Sequence, residues 1–469
     1  MEKSKGEKLQ EKLFDIKKIG WETIDDKEKQ IILDFNEDYI EFLNQCKTER
    51  SCVTYFEDVL IKNGFKNIEN IKNLNPGDKV YYINRKKAIY AAIIGNSILE
   101  EGLNLIGAHI DAPRIDLKPN PLYEEGGFAL FKTHYYGGIK KYQWTSIPLC
   151  IEGVVVKTNG DVVDVCIGKD KNDPIFTITD LLPHLGKKQG EKPLSKGIEG
   201  EDLNLLVGSI PYDDEKVKEK VKLNILNILN DKYDITERDF SSAELEIIPA
   251  FEAKSLGFDK SMVAGYGQDD RVCAYTTIKA LLDINNPSRT CIGILSDKEE
   301  VGSMGNTGMS SQNFETFIAD LLDKTNQNGY NVLEKALANS KMLSADVTSA
   351  NDPTYSSVDD KYNAAYLGKG TVLCKYTGHG GKFGASDATA EFVAKVRKIL
   401  EDNNIIYQYG DMGKVDEGGG GTIAYILANK GIDVIDCGVA ILSMHGPYEV
   451  TSKFDIYNCY KVYSVFFKG

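Results

Sequence analysis

Apolar positions along this chain change period, and the change divides it into three stretches. In the first ~60 residues Ile31, Ile32, Phe35, Tyr39, Ile40, Phe42 and Leu43 recur at three- and four-residue steps, the spacing of one helix face. Residues 79–83 and 88–94 alternate instead and are rich in β-branched and aromatic types, with Asn84, Arg85 and Lys86 between them, which predicts a hairpin. Residues 103–108 read as a short buried strand ending at His109. From residue 115 to about 253 the texture is β-rich, with runs at 147–157 and 162–167 and one lysine-rich amphipathic helix near 217–229. From 265 onward strand and helix alternate. Helices are expected at 269–284, 314–323, 385–401 and 421–430, and strands at 290–295, 342–345, 405–408 and 434–442.

This order predicts an α/β fold, a mainly parallel sheet flanked by helices with an inserted β-rich second domain. The division expected is 1–114, 115–253 and 254–469, with no internal repeat and no Ser/Pro linker to mark the joints. In such sheets ligands gather at the carboxyl ends of the strands, so chemistry is sought there.

Composition narrows the class. With 56 Lys+Arg against 70 Asp+Glu the 469-residue chain carries a net charge of −14, which disfavours nucleic acid or an anionic membrane as partner. No run approaches the ~18 apolar residues of a membrane span, and the charged N-terminus lacks the apolar core of a secretory signal. Nine cysteines, an odd number without any C-x-x-C, suit free thiols in a reducing compartment. A cytoplasmic enzyme or binding protein is expected.

Five motifs fall at strand ends or helix starts. In Gly107-Ala-His109-Ile-Asp111, residues two apart in an extended segment project to one side, so Asp111 can hold one imidazole nitrogen of His109 and leave the other for a metal. Asp269 and Asp270 open a helix, where they read equally as capping acids. Glu299 and Glu300 follow the 290–295 strand; one could bind a cation while the other takes a proton, or both could be a solvated turn. Asp346 ends an apolar strand, and His445 stands in Ser443-Met-His445-Gly446-Pro447-Tyr-Glu449 at another. Each alone reads as easily as a structural residue. Together they supply two imidazoles, two or more single carboxylates and a free glutamate, about the inventory two divalent ions sharing one carboxylate require.

HIDAPRIDLKPNPLY, GQDDRVCAY, DKEEVGSMGNTG, SADVT and SMHGPYE, in this order, resemble the aspartyl aminopeptidase family of di-zinc exopeptidases, which includes vacuolar aminopeptidase-like enzymes. The resemblance covers nearly the whole chain, including an insertion after the first histidine, which would be an oligomerisation domain between two parts of a catalytic domain. It implies that His109 and Asp346 hold one ion, Glu300 and His445 the other, and Asp269 bridges them. It further implies Glu299 as general base and then acid, with Asp111 orienting His109. Two divalent ions are implied, zinc first, although imidazole and carboxylate donors also accept Co²⁺ or Mn²⁺. Peptides with a free N-terminus would be the substrates, and large closed homo-oligomers the assembly.

Lys375, His379, Gly421 and Thr422 correspond to substrate-binding positions of the family, and His184 to a histidine that reaches a neighbouring subunit's site. Ser349 and Asp352 stand where many members carry histidines, which opens the choice between an acidic and a neutral first residue. Two other readings stand beside aminopeptidase: a di-metal amidohydrolase or carboxypeptidase of the same clan, and a catalytically silent assembly protein.

Overall fold

A computed structural model describes residues 3–15 and 18–469. Helix Asp26–Gln45 starts on the Asp25 side chain, which accepts the Glu28 N–H, and buries Ile32, Tyr39, Phe42 and Leu43 along one stripe. Ile31 of the expected apolar set turns out to solvent. The hairpin forms as expected from Lys79–Asn84 and Ala88–Ile93, and Arg85 and Lys86 both take positive φ at its turn.

These two strands belong to a nine-stranded sheet. At its centre Cys291–Ser296, Asn104–His109, Lys341–Ser344 and Asp433–Gly438 lie side by side and parallel. On one flank Ala88–Ile93 runs antiparallel to Cys291–Ser296; on the other Thr371–Cys374 runs antiparallel to Asp433–Gly438. The sheet is therefore mixed, with a four-strand parallel centre rather than parallel order throughout. A tight hairpin can join only antiparallel strands, so Lys79–Asn84 runs antiparallel to Ala88–Ile93 in its turn. The α/β class stands.

Residues 114–249 build a second, wholly antiparallel sheet of seven strands, among them Arg114–Glu125, Phe128–Tyr136 and Ala243–Pro249. It has its own apolar core around Trp144, Phe131 and Leu149, and its helix runs Lys220–Tyr233, a few residues later than the periodicity suggests. A third sheet of five strands includes Met262–Gly265, Ala440–Leu442 and Glu449–Ser452.

Three expected elements differ. The helix expected from 385 begins at Ala390, after Gly384 and Asp387 take positive φ and Thr389 caps it. The helix expected over 421–430 is only Ala424–Ala428. The single strand expected over 434–442 is two, Asp433–Gly438 and Ala440–Leu442, in different sheets. Gly438 is needed at the break, because a Cβ there would lie 1.9 Å from the Asp346 carbonyl oxygen. Among the described residues no helix is long and apolar enough to cross a membrane.

Candidate metal centre

The parallel strands deliver their chemistry at one end. His109 is the last residue of Asn104–His109; Asp346 lies just beyond Lys341–Ser344; Glu299 and Glu300 form a short turn after Cys291–Ser296. His445 follows Ala440–Leu442 with positive φ. Asp269 sits at the head of Gln268–Leu282, where it and Asp270 keep non-helical backbone angles. The first turn of the expected helix is thus diverted to aim a carboxylate.

Asp269 lies between the two histidines. Its Oδ1 is 3.2 Å from His109 Nε2 and its Oδ2 is 3.2 Å from His445 Nε2. Asp346 Oδ1 is 3.9 Å from His109 Nε2, and Glu300 Oε2 is 3.4 Å from His445 Nε2. Potential donors group as His109/Asp269/Asp346 and Asp269/Glu300/His445, each within 4.8 Å. A third grouping, His109/Glu299/Glu300, spans the two. Glu299 Oε2 is 3.9 Å from His109 Nε2.

Both imidazoles are oriented from behind. His109 Nδ1 lies 3.0 Å from the Asp111 carbonyl oxygen and 3.3 Å from its Oδ1. His445 Nδ1 lies 3.0 Å from the Gly138 carbonyl oxygen. A carbonyl can only accept, so each Nδ1 carries a hydrogen, and Nε2 is the nitrogen that would give up its proton to offer a lone pair to a cation. Asp111 also accepts the Glu299 and Glu300 N–H groups and the Tyr136 hydroxyl. Glu449 accepts the N–H of Asp269 at 3.1 Å and of His445 at 2.8 Å.

Electrostatics make this cluster costly for the chain alone. Burial pushes the Glu299 carboxyl up to about 7, and burial with the nearby Asp269 charge pushes Glu300 well above its usual range. Burial and Asp270 do the same to Asp346. Burial opposes charge on His445, yet Asp269 and Glu300 raise it to about 10. Burial likewise opposes charge on His109, and Asp111 and Asp269 outweigh it. Asp269, also disfavoured by burial, is held low by the two imidazoles. Among the described residues the only basic partners of these four acids are the histidines. Asp269 Oδ1 and Glu300 Oε1 are buried without a hydrogen-bond partner. Surplus acid, imidazole lone pairs and unpartnered oxygens fit divalent cations, and the absence of sulfur suits zinc, cobalt or manganese.

The cluster forms one wall of a cavity of about 470 Å³. Its lining is also glycine-rich, with Gly378, Gly380 and Gly418–Gly421 together with Thr422, Tyr425 and Met412. Of the expected substrate contacts, His379, Gly421 and Thr422 line the cavity, and the Thr422 hydroxyl donates to Asp436 at 2.6 Å. Lys375 does not line it: it pairs with Asp387 at 3.4 Å on the exposed side of its loop. His184 lies exposed in Pro183–Leu185 and is not part of this cavity. Ser349 and Asp352 are not among its lining residues either, whereas Val347 and Thr348 are. Reading the sequence missed Glu449, Tyr136 and Gly138. Glu449 stands inside a quoted motif, four residues after His445; nothing local marks the other two.

Residues 42–467 match the model of the aminopeptidase I zinc metalloprotease (M18) family. The chain belongs to that family. A relative from Clostridium acetobutylicum, named "Probable M18 family aminopeptidase 1", is 53% identical over 96% of this chain and 97% of its own. The crystal structure of an M18-family aminopeptidase from Thermotoga maritima superposes with a TM-score of 0.94 at 45% identity, covering 97% of this chain and 100% of that one. An S. cerevisiae mApe1 dodecamer structure shares the fold with a TM-score of 0.76 at 23% identity, covering 93% and 96%. This metallo-aminopeptidase hydrolyses peptide bonds, so the carboxypeptidase and silent-assembly readings fall away.

Proposed function

We propose that the aminopeptidase works through two divalent cations, zinc first, with His109 and Asp346 on one, Glu300 and His445 on the other, and Asp269 bridging. The observation that carries this reading is the Asp269 carboxylate, which turns one oxygen toward each histidine at 3.2 Å. When bound, the cations supply Lewis acidity toward the scissile carbonyl. Glu299, buried beside the cluster and raised to about 7, accepts a proton from the attacking water and passes it to the departing amine. Asp111 orients His109 and holds the Glu299–Glu300 turn by its N–H groups. The acid-rich wall suits the free α-ammonium of a peptide, and Gly421 and Thr422 bring backbone close to the substrate chain.

The first residue released is neutral in this reading. Both lysines lining the cavity are engaged: Lys382 pairs with Asp387 at 2.9 Å, and Lys414 donates to the Ser357 carbonyl. Asp411 and Asp436 face the same cavity and disfavour an acidic side chain. Segments 1–114 and 254–469 form the catalytic domain, and 115–253 a second domain that mediates self-association. Leu182, Leu185 and Leu194 of that segment are exposed. His184, exposed among them, would reach a neighbouring subunit's cavity.

One set of measurements tests the reading: hydrolysis of Leu-, Met-, Asp- and Glu-amides with and without chelator, hydrolysis of an N-acetylated peptide, and ions counted per chain. Cleavage of neutral amides, protection by acetylation and two ions are expected. One ion per chain defeats the bridging role of Asp269, and preference for Asp-amide defeats the neutral pocket.

A further inference from the structure

We infer that the corner Tyr136-Gly137-Gly138 of the inserted segment positions the metal centre, and that its two glycines act selectively on the triad of His445 and Glu300. The inference rests on the two-triad assignment proposed above. It gives the insert a part in the chemistry of its own chain, separate from any part in assembly.

Strand Phe128–Tyr136 ends at this corner, which leaves the second sheet and lies against the strand ends of the first. Three contacts follow in three consecutive residues. The Tyr136 hydroxyl donates to Asp111 Oδ2 at 2.8 Å, and the same carboxylate receives the Glu299 and Glu300 N–H groups at 3.1 and 3.2 Å. Gly137, with φ +73°, packs so closely that a Cβ would lie 3.3 Å from Glu300 Cβ and 3.4 Å from Pro113 Cβ. Gly138 offers its carbonyl to His445 Nδ1 at 3.0 Å, and a Cβ on it would lie 3.2 Å from that same nitrogen.

The two glycines therefore touch the two ligands that belong to one triad alone. The Gly138 carbonyl places the hydrogen on Nδ1 and turns Nε2 toward Asp269 and Glu300. His109 takes its orientation from Asp111 instead. Tyr136, acting through Asp111, is common to both halves. A side chain at 138 would push His445 without touching His109 or Asp346, so the insert sets one cation site more than the other.

The test is zinc binding to full-length protein stripped by chelator, read by titration and by metal count after dialysis. Gly138→Val should weaken one of two zinc ions by about tenfold or more, the loss typical when a group supporting a ligand is disturbed, and leave the other within about twofold. Should Gly138→Val fail to fold, Gly138→Ala, whose Cβ alone presses on the ring, should show the same selectivity with a smaller shift. Gly197→Ala, in the same segment but with open space around its Cβ, should bind zinc as the wild type does. Combining the Gly138 variant with Glu300→Gln should remove no further ion, and combining it with Asp346→Asn should remove both. A folded Gly138 variant that binds two ions normally, or weakens both alike, overturns the inference. Wild-type protein taking fewer than two ions defeats the underlying two-triad reading instead.

Discussion

Two clusters of acids differ in how many cations the chain itself sets beside them. Glu49, Asp116, Glu244 and Glu246 meet Lys87, Arg114 and Arg50: Lys87 lies 2.8 Å from Glu49, and Arg114 lies 2.8 Å from Asp116 and 3.2 Å from Glu246. Burial disfavours the Glu49 charge, but Arg114 and Lys87 hold its pKa well below the ordinary range, whereas burial keeps Glu246 well above its range and Asp116 raised even with Arg114 beside them. Among the described residues Asp269, Glu299, Glu300 and Asp346 have no lysine or arginine partner, and their surplus charge is met by protons on carboxyls and imidazoles. The first cluster brings its own cations; the second is shaped for cations from outside. Tyr136 joins them, its ring 3.9 Å from the Arg114 guanidinium and its hydroxyl on Asp111.

That contrast can be broken most severely by removing the external cations. Chelated protein should lose hydrolysis of aminoacyl-amides and regain it with Zn²⁺; activity surviving exhaustive chelation would put the two clusters on the same footing. The stripped protein should also lose stability as pH rises. Glu299 and His445 have folded pKa values of about 7 and about 10, both above their unfolded values. The folded state therefore binds more protons, so their contribution is full below about pH 4 and is lost as pH climbs toward 10. Melting temperature against pH, with and without zinc, checks the sign, and a stripped protein that gained stability toward alkaline pH would refute it.

Glu299→Gln removes the proton carrier but none of the proposed ligands. kcat should fall by about 10²–10⁴ while the zinc count holds; loss of an ion would make Glu299 a ligand. Lys87→Met makes the converse change in the other cluster, taking from buried Glu49 its nearer cation and leaving it Arg114 alone at 3.5 Å. It should cost about 3–5 kcal/mol in denaturant unfolding, again with an unchanged zinc count. The smallest effect belongs to Thr422→Val. Asp436, which burial raises to about 6, loses a hydroxyl donor, for a stability cost of about 1.5–3 kcal/mol. A cost as large as that of Lys87→Met would mean Asp436 is held as tightly as an ion pair.

Much of the site was legible before any coordinates. His109, Asp346 and Glu299–Glu300 each follow an apolar run short enough to be a buried strand, and strand ends in an α/β layer converge. Asp269 was harder, because two acids before an amphipathic helix look like ordinary caps until the backbone is seen to leave helical angles there. The break at Gly438 was hidden: residues 434–442 are mostly apolar, and one glycine within them does not say that its two sides belong to different sheets. Lys375, placed by position in the family, pairs with Asp387 and is not among the residues lining the cavity, whereas Lys382, on the same Asp387, is.

Taken alone, the order of residues determined which candidate donors this protein owns, that none needed to be sulfur, and that they fall at the ends of apolar strands or the start of a helix. Periodicity is a local property, and it survives reading in one dimension. Only tertiary structure decided which oxygen of Asp269 meets which histidine, which acids are matched by Lys87 and Arg114, and that Gly138 stands behind His445. Those facts depend on the register of separate sheets packed against each other, and distances of a few ångströms between residues hundreds of positions apart leave no trace in local pattern.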